Sequence, residues 1–177
     1  FFPHVLAQRT TQWERGDDPM TQIGFTDDYD AFGQPKQQTA IALPRRSKWR
    51  SEADETSILA THTRTDYATP APDLYLHDRV AQARAFELRY PPDVTETNSQ
   101  DLTRVLADQM NAALRVRGRF QSLLDPWQSG RPLPSGVRLF SHTVNHYDGE
   151  AYVGRTAGEV GPYGALGLLD ATQLATS

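Results

Sequence analysis

The stretch DDYDAFG at residues 27–33 holds three aspartates and a glycine whose types and spacing could bind a metal ion. A calcium loop of the EF-hand type that began at Asp28 would need an oxygen ligand at its fifth position and a bidentate carboxylate at its twelfth. Phe32 and Thr39 occupy these two positions. The spacing therefore favours a hairpin turn, in which aspartate side chains bond to nearby backbone and Gly33 adopts a positive φ.

Acid–base chemistry at this stretch is not supported by its geometry either. Asp28 and Asp30 share one side of an extended strand, about 7 Å apart, whereas a glycosidase pair comes from two different elements. His142 and His146 would share a metal ion on a helix, but in a strand four residues span about 13 Å. Ser141 beside His142 lacks both a nucleophile elbow and an orienting acid. We therefore expect no catalytic residue, no metal and no cofactor, and a protein that is not an enzyme.

The composition excludes several further classes of function. The chain has no cysteine, so disulfides and thiolate sites are absent. Its formal net charge of −4 argues against a nucleic-acid partner. The glycine-rich stretch GEVGPYG at residues 158–164 matches neither a dinucleotide-binding fingerprint nor a P-loop. No run of 18 apolar residues occurs, so we expect neither a signal peptide nor membrane contact by this segment.

Most of the chain alternates between apolar and polar residues, which is the pattern of strands with one buried face. Several of these runs exceed the usual strand length of about 5 to 6 residues, so we predict a mainly β protein with long antiparallel strands in a curved sheet. The predicted strands are residues 4–15, 21–29, 38–43, 57–67, 79–90 and 137–148.

One segment has helical periodicity instead. Leu102, Val105, Leu106 and Met110 recur at helical spacing after the cap candidates at positions 98 and 99, and Gly118 follows a basic turn. We predict a helix near residues 99–116, within a helix-plus-loop insertion over about residues 91–136. Residues 1–177 as a whole are interpreted as a single segment, and the start at Phe1 without an initiator methionine favours a fragment of a larger chain.

Two turn motifs share the order Tyr-Asp followed shortly by Gly. The predicted structural turn residues are Tyr29, Asp30, Gly33, Tyr147, Asp148, Gly149 and Gly154. Tyr-Asp pairs at the ends of long strands resemble the YD repeat of Rhs proteins.

A wider resemblance joins the two motifs. Residues 12–46 resemble a segment of the B component of bacterial insecticidal Tc toxins, and residues 146–166, HYDGEAYVGRTAGEVGPYGAL, are similar to a second family stretch in the same order. Residues 155–157 replace the family's Leu-Pro-Leu, and Gln34 replaces its Asn. The positions that match in the first segment are Glu14, Arg15, Asp18, Pro19, Asp30, Gly33, Pro44, Arg45 and Arg46.

The resemblance implies a role in containment. In that family, B and C components form a hollow Rhs/YD-type shell of β-strands that encloses a cytotoxic effector, and this segment corresponds to the strand-rich shell. Its implied partners are the remaining shell of the same toxin chain, a C-component-like chain and the enclosed effector polypeptide. The implied location is extracellular, as part of a secreted bacterial toxin complex with a role in virulence.

Two other functions stay open at this point. A β-rich carbohydrate- or protein-binding module could use exposed aromatic residues such as Trp13, Trp49, Trp127 and Tyr152. A hydrolase or ADP-ribosyltransferase would need paired catalytic acids on an E-x-E turn, and the sequence has no such turn.

Overall fold

One antiparallel sheet with a helix on one face accounts for the described part of the chain. The computed structural model describes residues 3–15, 18–45, 57–69, 75–89, 102–148, 158–161 and 172–173. Every strand pairs with its neighbour in sequence, in the order β1 to β7. The elements are β1 (Ala7–Arg15), β2 (Asp18–Tyr29), β3 (Pro35–Ala42), β4 (Leu59–Tyr67), β5 (Val80–Leu88), α1 (Leu102–Leu124), β6 (Val137–Val144) and the short β7 (Thr172–Gln173).

The predicted fold class, mainly β with long antiparallel strands and one helix, is confirmed. Because strand side chains alternate between faces, the register decides which residues meet on the helix side. One transverse row on that side runs through Phe25, Thr39, His62, Phe86 and Leu139, on five successive strands. Its apolar members belong to or pack against the main hydrophobic core, and its two polar members lie at the centre.

The helix is longer than the sequence predicted. It continues through Gly118 and ends at Leu124, eight residues beyond the predicted end at 116. Val116, Phe120 and Leu124 follow each other at intervals of four and are fully buried against the sheet. The burial of these side chains outweighs the cost of about 1 kcal/mol that glycine brings to a helix interior.

The loop between α1 and β6 spans residues 125–136, within the predicted helix-plus-loop insertion. Gly130 and Gly136 both have φ of 87°. Trp127 packs against the main core, with its ring edge-on to Phe86 at 5.6 Å between centroids. Its indole N–H donates to the main-chain oxygen of Arg131 at 3.0 Å. Trp127 is therefore a packing residue of the loop rather than an exposed binding platform.

The opposite face of the sheet carries small and uncharged side chains over much of its width. A second transverse row there runs through Thr26, Gln38, Thr63, Ala85 and Ser141. A shallow groove of about 640 Å³ lies on this face, beside the segment of residues 3–5. The sheet thus has one face packed under a helix and one polar face that no described element covers.

No helix among the described residues is long and apolar enough to cross a membrane.

Candidate functional site

The first corner motif is a turn that its own aspartate closes. Oδ1 of Asp30 accepts hydrogen bonds from the main-chain N–H groups of Phe32 and Gln34, both at 2.8 Å. The N–H of Gly33 donates to the main-chain oxygen of Asp30 at 3.1 Å, and Gly33 has φ of 82°. The structure therefore uses this carboxylate to bind backbone in the turn between β2 and β3.

Neighbouring side chains hold this corner to two other parts of the chain. The hydroxyl of Tyr29 donates to the main-chain oxygen of Val5, which ties down the segment before β1. The ring of Phe32 stacks on His77 at 3.5 Å between centroids. The side-chain amide of Gln34 donates to the main-chain oxygen of His77 at 2.8 Å. The corner is thus an attachment point between segments that are distant in sequence.

The second corner motif forms a small core of its own. Tyr147 is 4% exposed and packs with Ala68, Ala81 and Val160. Its hydroxyl donates to the main-chain oxygen of Val80 at 2.9 Å. Burial raises the pKa of this phenol above its usual value. The tyrosine therefore anchors the chain after β6 to the start of β5.

Gly158 and Gly161 complete this second core. Gly158 has φ of 97°, and its oxygen accepts from the N–H of Thr69 at 2.7 Å. A Cβ placed on Gly161 would lie 2.3 Å from the main-chain oxygen of Asp148. The close approach of backbone at this point requires a residue without a side chain. The predicted turn residues Gly149 and Gly154 lie outside the described residues.

A buried polar cluster beneath α1 was not predicted as a site. Asp27, whose side chain is 4% exposed, accepts from Nε of Arg117 on the helix. Its other carboxylate oxygen lies 3.3 Å from the hydroxyl of Thr39, which in turn lies 2.9 Å from Nδ1 of His62. Gln121 adds a weaker contact to Asp27 at 3.4 Å. These five residues, called the latch cluster below, connect three strands to the helix.

Alternation could have located Asp27 from the sequence. Ile23 and Phe25 are buried on the helix side of β2, and Asp27 continues the same period of two. From the sequence alone, Asp27 belongs only to the predicted hairpin turn at residues 27–33. The partner, Arg117, lies 90 residues away and becomes visible only when α1 is packed on the sheet.

His62 is the deeply buried ionisable ring of the latch cluster. It is 1% exposed and stacks on Phe120, with ring centroids 5.4 Å apart. Burial, together with the positive charge of Arg64, lowers the pKa of His62 from 6.5 to about 4, against the opposing effect of Asp27. At neutral pH this ring is therefore uncharged.

A second polar network fixes the end of α1 to the sheet. Arg64 and Arg84 are directly opposite each other on β4 and β5. Arg64 pairs with Asp125 just after the helix at 3.0 Å, and Arg84 donates to the hydroxyl of Ser129 at 3.2 Å. Because cations near a helix C-terminus are favourable, this arrangement supports the position of the last turn.

The histidine pair considered in the sequence is separated by the end of a strand. His142 lies on β6, with Nε2 at 3.3 Å from Oε1 of Gln82, and His146 follows after the strand ends at Val144. Burial and the nearby Arg84 lower the pKa of His142. Among the described residues, no group of three or more His, Cys, Asp or Glu is placed to hold a metal ion. His142 links β6 to β5 through its contact with Gln82.

Solved structures of Tc toxin chains have a fold similar to that of this chain. The chain is similar to a solved structure of the Photorhabdus luminescens Tc holotoxin pore, with 16% identity, a TM-score of 0.54, and coverage of 92% of this chain but 7% of that one. It is also similar to a crystal structure of TcdB2-TccC3, with 16% identity, a TM-score of 0.55, and coverage of 92% and 8%. TcdB2-TccC3 without its hypervariable C-terminal region gives a TM-score of 0.52 at 13% identity.

No protein-family profile matches the chain, and no curated protein sequence matches it. The structural likeness therefore shows a fold like that of Tc toxin chains, and this chain spans less than a tenth of the length of those chains.

Proposed function

We propose that this chain is a non-enzymatic wall segment of a Tc/Rhs-type toxin cocoon, which encloses a cytotoxic effector and helps to deliver it. The observation that carries the proposal is the likeness of 92% of the chain to part of solved Tc toxin chains. The two YD corners, which suggested the family from the sequence, lie at the ends of β2 and β6 and join separate segments. The proposed partners are adjoining shell strands, a C-component-like chain and the enclosed polypeptide, in an extracellular complex.

The sheet has the architecture that such a wall requires. Six strands of eight to twelve residues pair in sequence order. At about 4.8 Å between neighbouring strands, they form a band about 24 Å wide. Within the described residues, β1 pairs only with β2, so its other edge is free to extend the sheet. Adjoining strands of a larger shell would satisfy the backbone groups of that edge.

The two faces of the sheet suggest how the wall is oriented. The outer side of α1 exposes Arg115 and Arg119, and such charged side chains suit bulk water. The uncovered face has the uncharged row through Thr26, Gln38 and Thr63. The charges of Glu87 and Arg138, which also lie on this face, are paired with each other at 2.6 Å. A lining of small uncharged side chains and paired charges would bind an unfolded polypeptide weakly, so we assign the uncovered face to the lumen.

Thiol labelling in the assembled full-length protein tests this function. The chain has no cysteine of its own, so Thr63→Cys on the uncovered face and Arg115→Cys on the helix each add one thiol to this segment. A small maleimide should label both variants. A maleimide on a polymer too large to enter a closed shell should label only the Arg115→Cys variant.

The outcomes separate the function from the orientation. Equal labelling of both variants by the large reagent would contradict the enclosure of either face. Selective labelling of the Thr63→Cys variant would keep the enclosure and reverse the assignment of the faces.

A further inference from the structure

The latch cluster links α1 to the sheet by hydrogen bonds whose pattern depends on the protonation of His62. Every hydrogen bond of its side chains that reaches the helix passes through Asp27, which accepts from Arg117 and Gln121. On the strand side, Asp27 contacts Thr39, and Thr39 contacts His62. The hydrogen bonds between this cluster and the helix therefore all depend on one carboxylate, which a buried histidine supports.

The pattern of donors and acceptors fixes the proton positions in the neutral cluster. The hydroxyl of Thr39 has one hydrogen, and the carboxylate of Asp27 can only accept. When Thr39 donates to Asp27, Nδ1–H of His62 donates to Thr39 and both short contacts are satisfied. Nε2 of His62 is then a bare lone pair, and it is buried with no hydrogen-bond partner among the described residues. A bare lone pair costs less there than an N–H group that points into an apolar core.

Protonation of His62 would break this arrangement. The added proton would place a charged N–H at Nε2, where the ring stacks on Phe120 and has no acceptor. The charged groups that face this position are Asp27 on β2, Arg117 on α1 and Arg64 on its own strand, with Arg84 on β5 and Asp125 after the helix beyond Arg64. Asp27 is already occupied by Arg117, so the cation could be solvated only if Phe120 moved away.

We propose that α1 is an acid-releasable cover: protonation of His62 detaches the helix from the sheet while the sheet stays paired. The register of β2 to β5 does not depend on the cluster, because the ladders are held by main-chain hydrogen bonds. By contrast, Phe120 on the buried side of α1 stacks directly on His62, so a charge on this ring would disturb the contact of the helix with the sheet. This property belongs to the fold and does not depend on the proposed wall function.

Thiol reactivity can measure the release. Ala113→Cys places a thiol on the buried side of α1, and Gly118→Cys places one on its exposed side. Reaction with 4,4′-dithiodipyridine proceeds in acid, and the ratio of the two rates cancels the pH dependence of the reagent. With a pKa of about 4 in the closed state and 6.5 in the open state, opening should increase about 60-fold between pH 7 and pH 4.5.

Three background variants identify the residue responsible. His62→Phe keeps an aromatic ring against Phe120 and cannot be protonated, and His62→Asn keeps a donor near Thr39. In both backgrounds the ratio should change less than threefold over the same pH range. His142→Asn removes a histidine from β6 and should keep the full increase.

Each other outcome would overturn the proposal. A flat ratio in the unaltered background would show that α1 stays closed in acid. The same increase in both His62 backgrounds would assign the opening to other groups. Loss of the β-sheet signal in circular dichroism together with the increase in the ratio would show general unfolding rather than release of the helix.

Discussion

Replacement of Gly161 by alanine tests the close packing of the second corner. An ideal Cβ at this position would lie 2.3 Å from both the main-chain oxygen and Oδ2 of Asp148, and 2.7 Å from its Cγ. A Cβ atom essentially never lies within 3.0 Å of another heavy atom of this kind, so the backbone must move by at least 0.7 Å, the difference between 3.0 and 2.3. Overpacking of this kind costs about 1–3 kcal/mol, and the entropic gain of Gly→Ala in the unfolded chain returns only about 0.4–1 kcal/mol. We expect a net loss of about 1–2 kcal/mol in the free energy of unfolding.

Gly118→Ala is the matched control. No atom lies within 4 Å of the position that its Cβ would take, and Gly118 is in the interior of α1. Alanine should therefore stabilise the protein by about 0.5–1 kcal/mol. Urea denaturation followed by circular dichroism measures both variants, with the midpoint lowered by about 0.5–1 M for Gly161→Ala. Equal shifts in the same direction would refute the close approach of Gly161 to Asp148.

Three further predictions concern the interface of α1 with the sheet. The pKa of His62 is about 4 in the folded protein and 6.5 in the unfolded chain, so the neutral ring stabilises the fold fully above pH 6.5. The free energy of unfolding should therefore fall by about 3 kcal/mol as the pH drops to 4. Urea titrations at each pH measure this change, and a constant midpoint would contradict it. Phe120→Ala should lower the free energy of unfolding by about 3–5 kcal/mol, and Leu114→Ala, on the exposed side of α1, by less than about 1 kcal/mol. Similar urea midpoints for the two variants would exclude the burial of Phe120 between α1 and the sheet. Asp27→Asn should lower the free energy of unfolding by about 1.5–3 kcal/mol, because it weakens the buried bond to Arg117. Lys36→Ala removes an exposed ion pair and should change this free energy by less than about 1 kcal/mol. Thermal unfolding measures both variants, and the reverse order would show that the buried cluster does not stabilise the fold.

The sheet could be predicted because each strand carries its own signal. The alternation of apolar and polar residues gave strands close to those observed, for example 137–148 against Val137–Val144. The end of that strand was overestimated because Asn145 and Tyr147 continue the alternation while their side chains bond back to Val80. A local pattern does not contain that contact.

The helix shows where local signals were overridden. Gly118 after a basic turn predicts the end of the helix, because glycine commonly follows the last helical residue. The helix continues because Val116, Phe120 and Leu124 are buried against the apolar surface of the sheet over about two further turns. The end then coincides with Asp125, which pairs with Arg64.

The sequence by itself determined the strand-rich fold, the position of helix α1 and the turn chemistry at Asp30 and Gly33. These features depend on periodicity and on backbone preferences, which act over a few residues. Only the tertiary structure decided that Asp27 meets Arg117 and that His62 lies uncharged beneath Phe120. Such pairings depend on strand register and on the packing of a distant helix, and these arise from the sum of many weak contacts rather than from any short stretch of sequence.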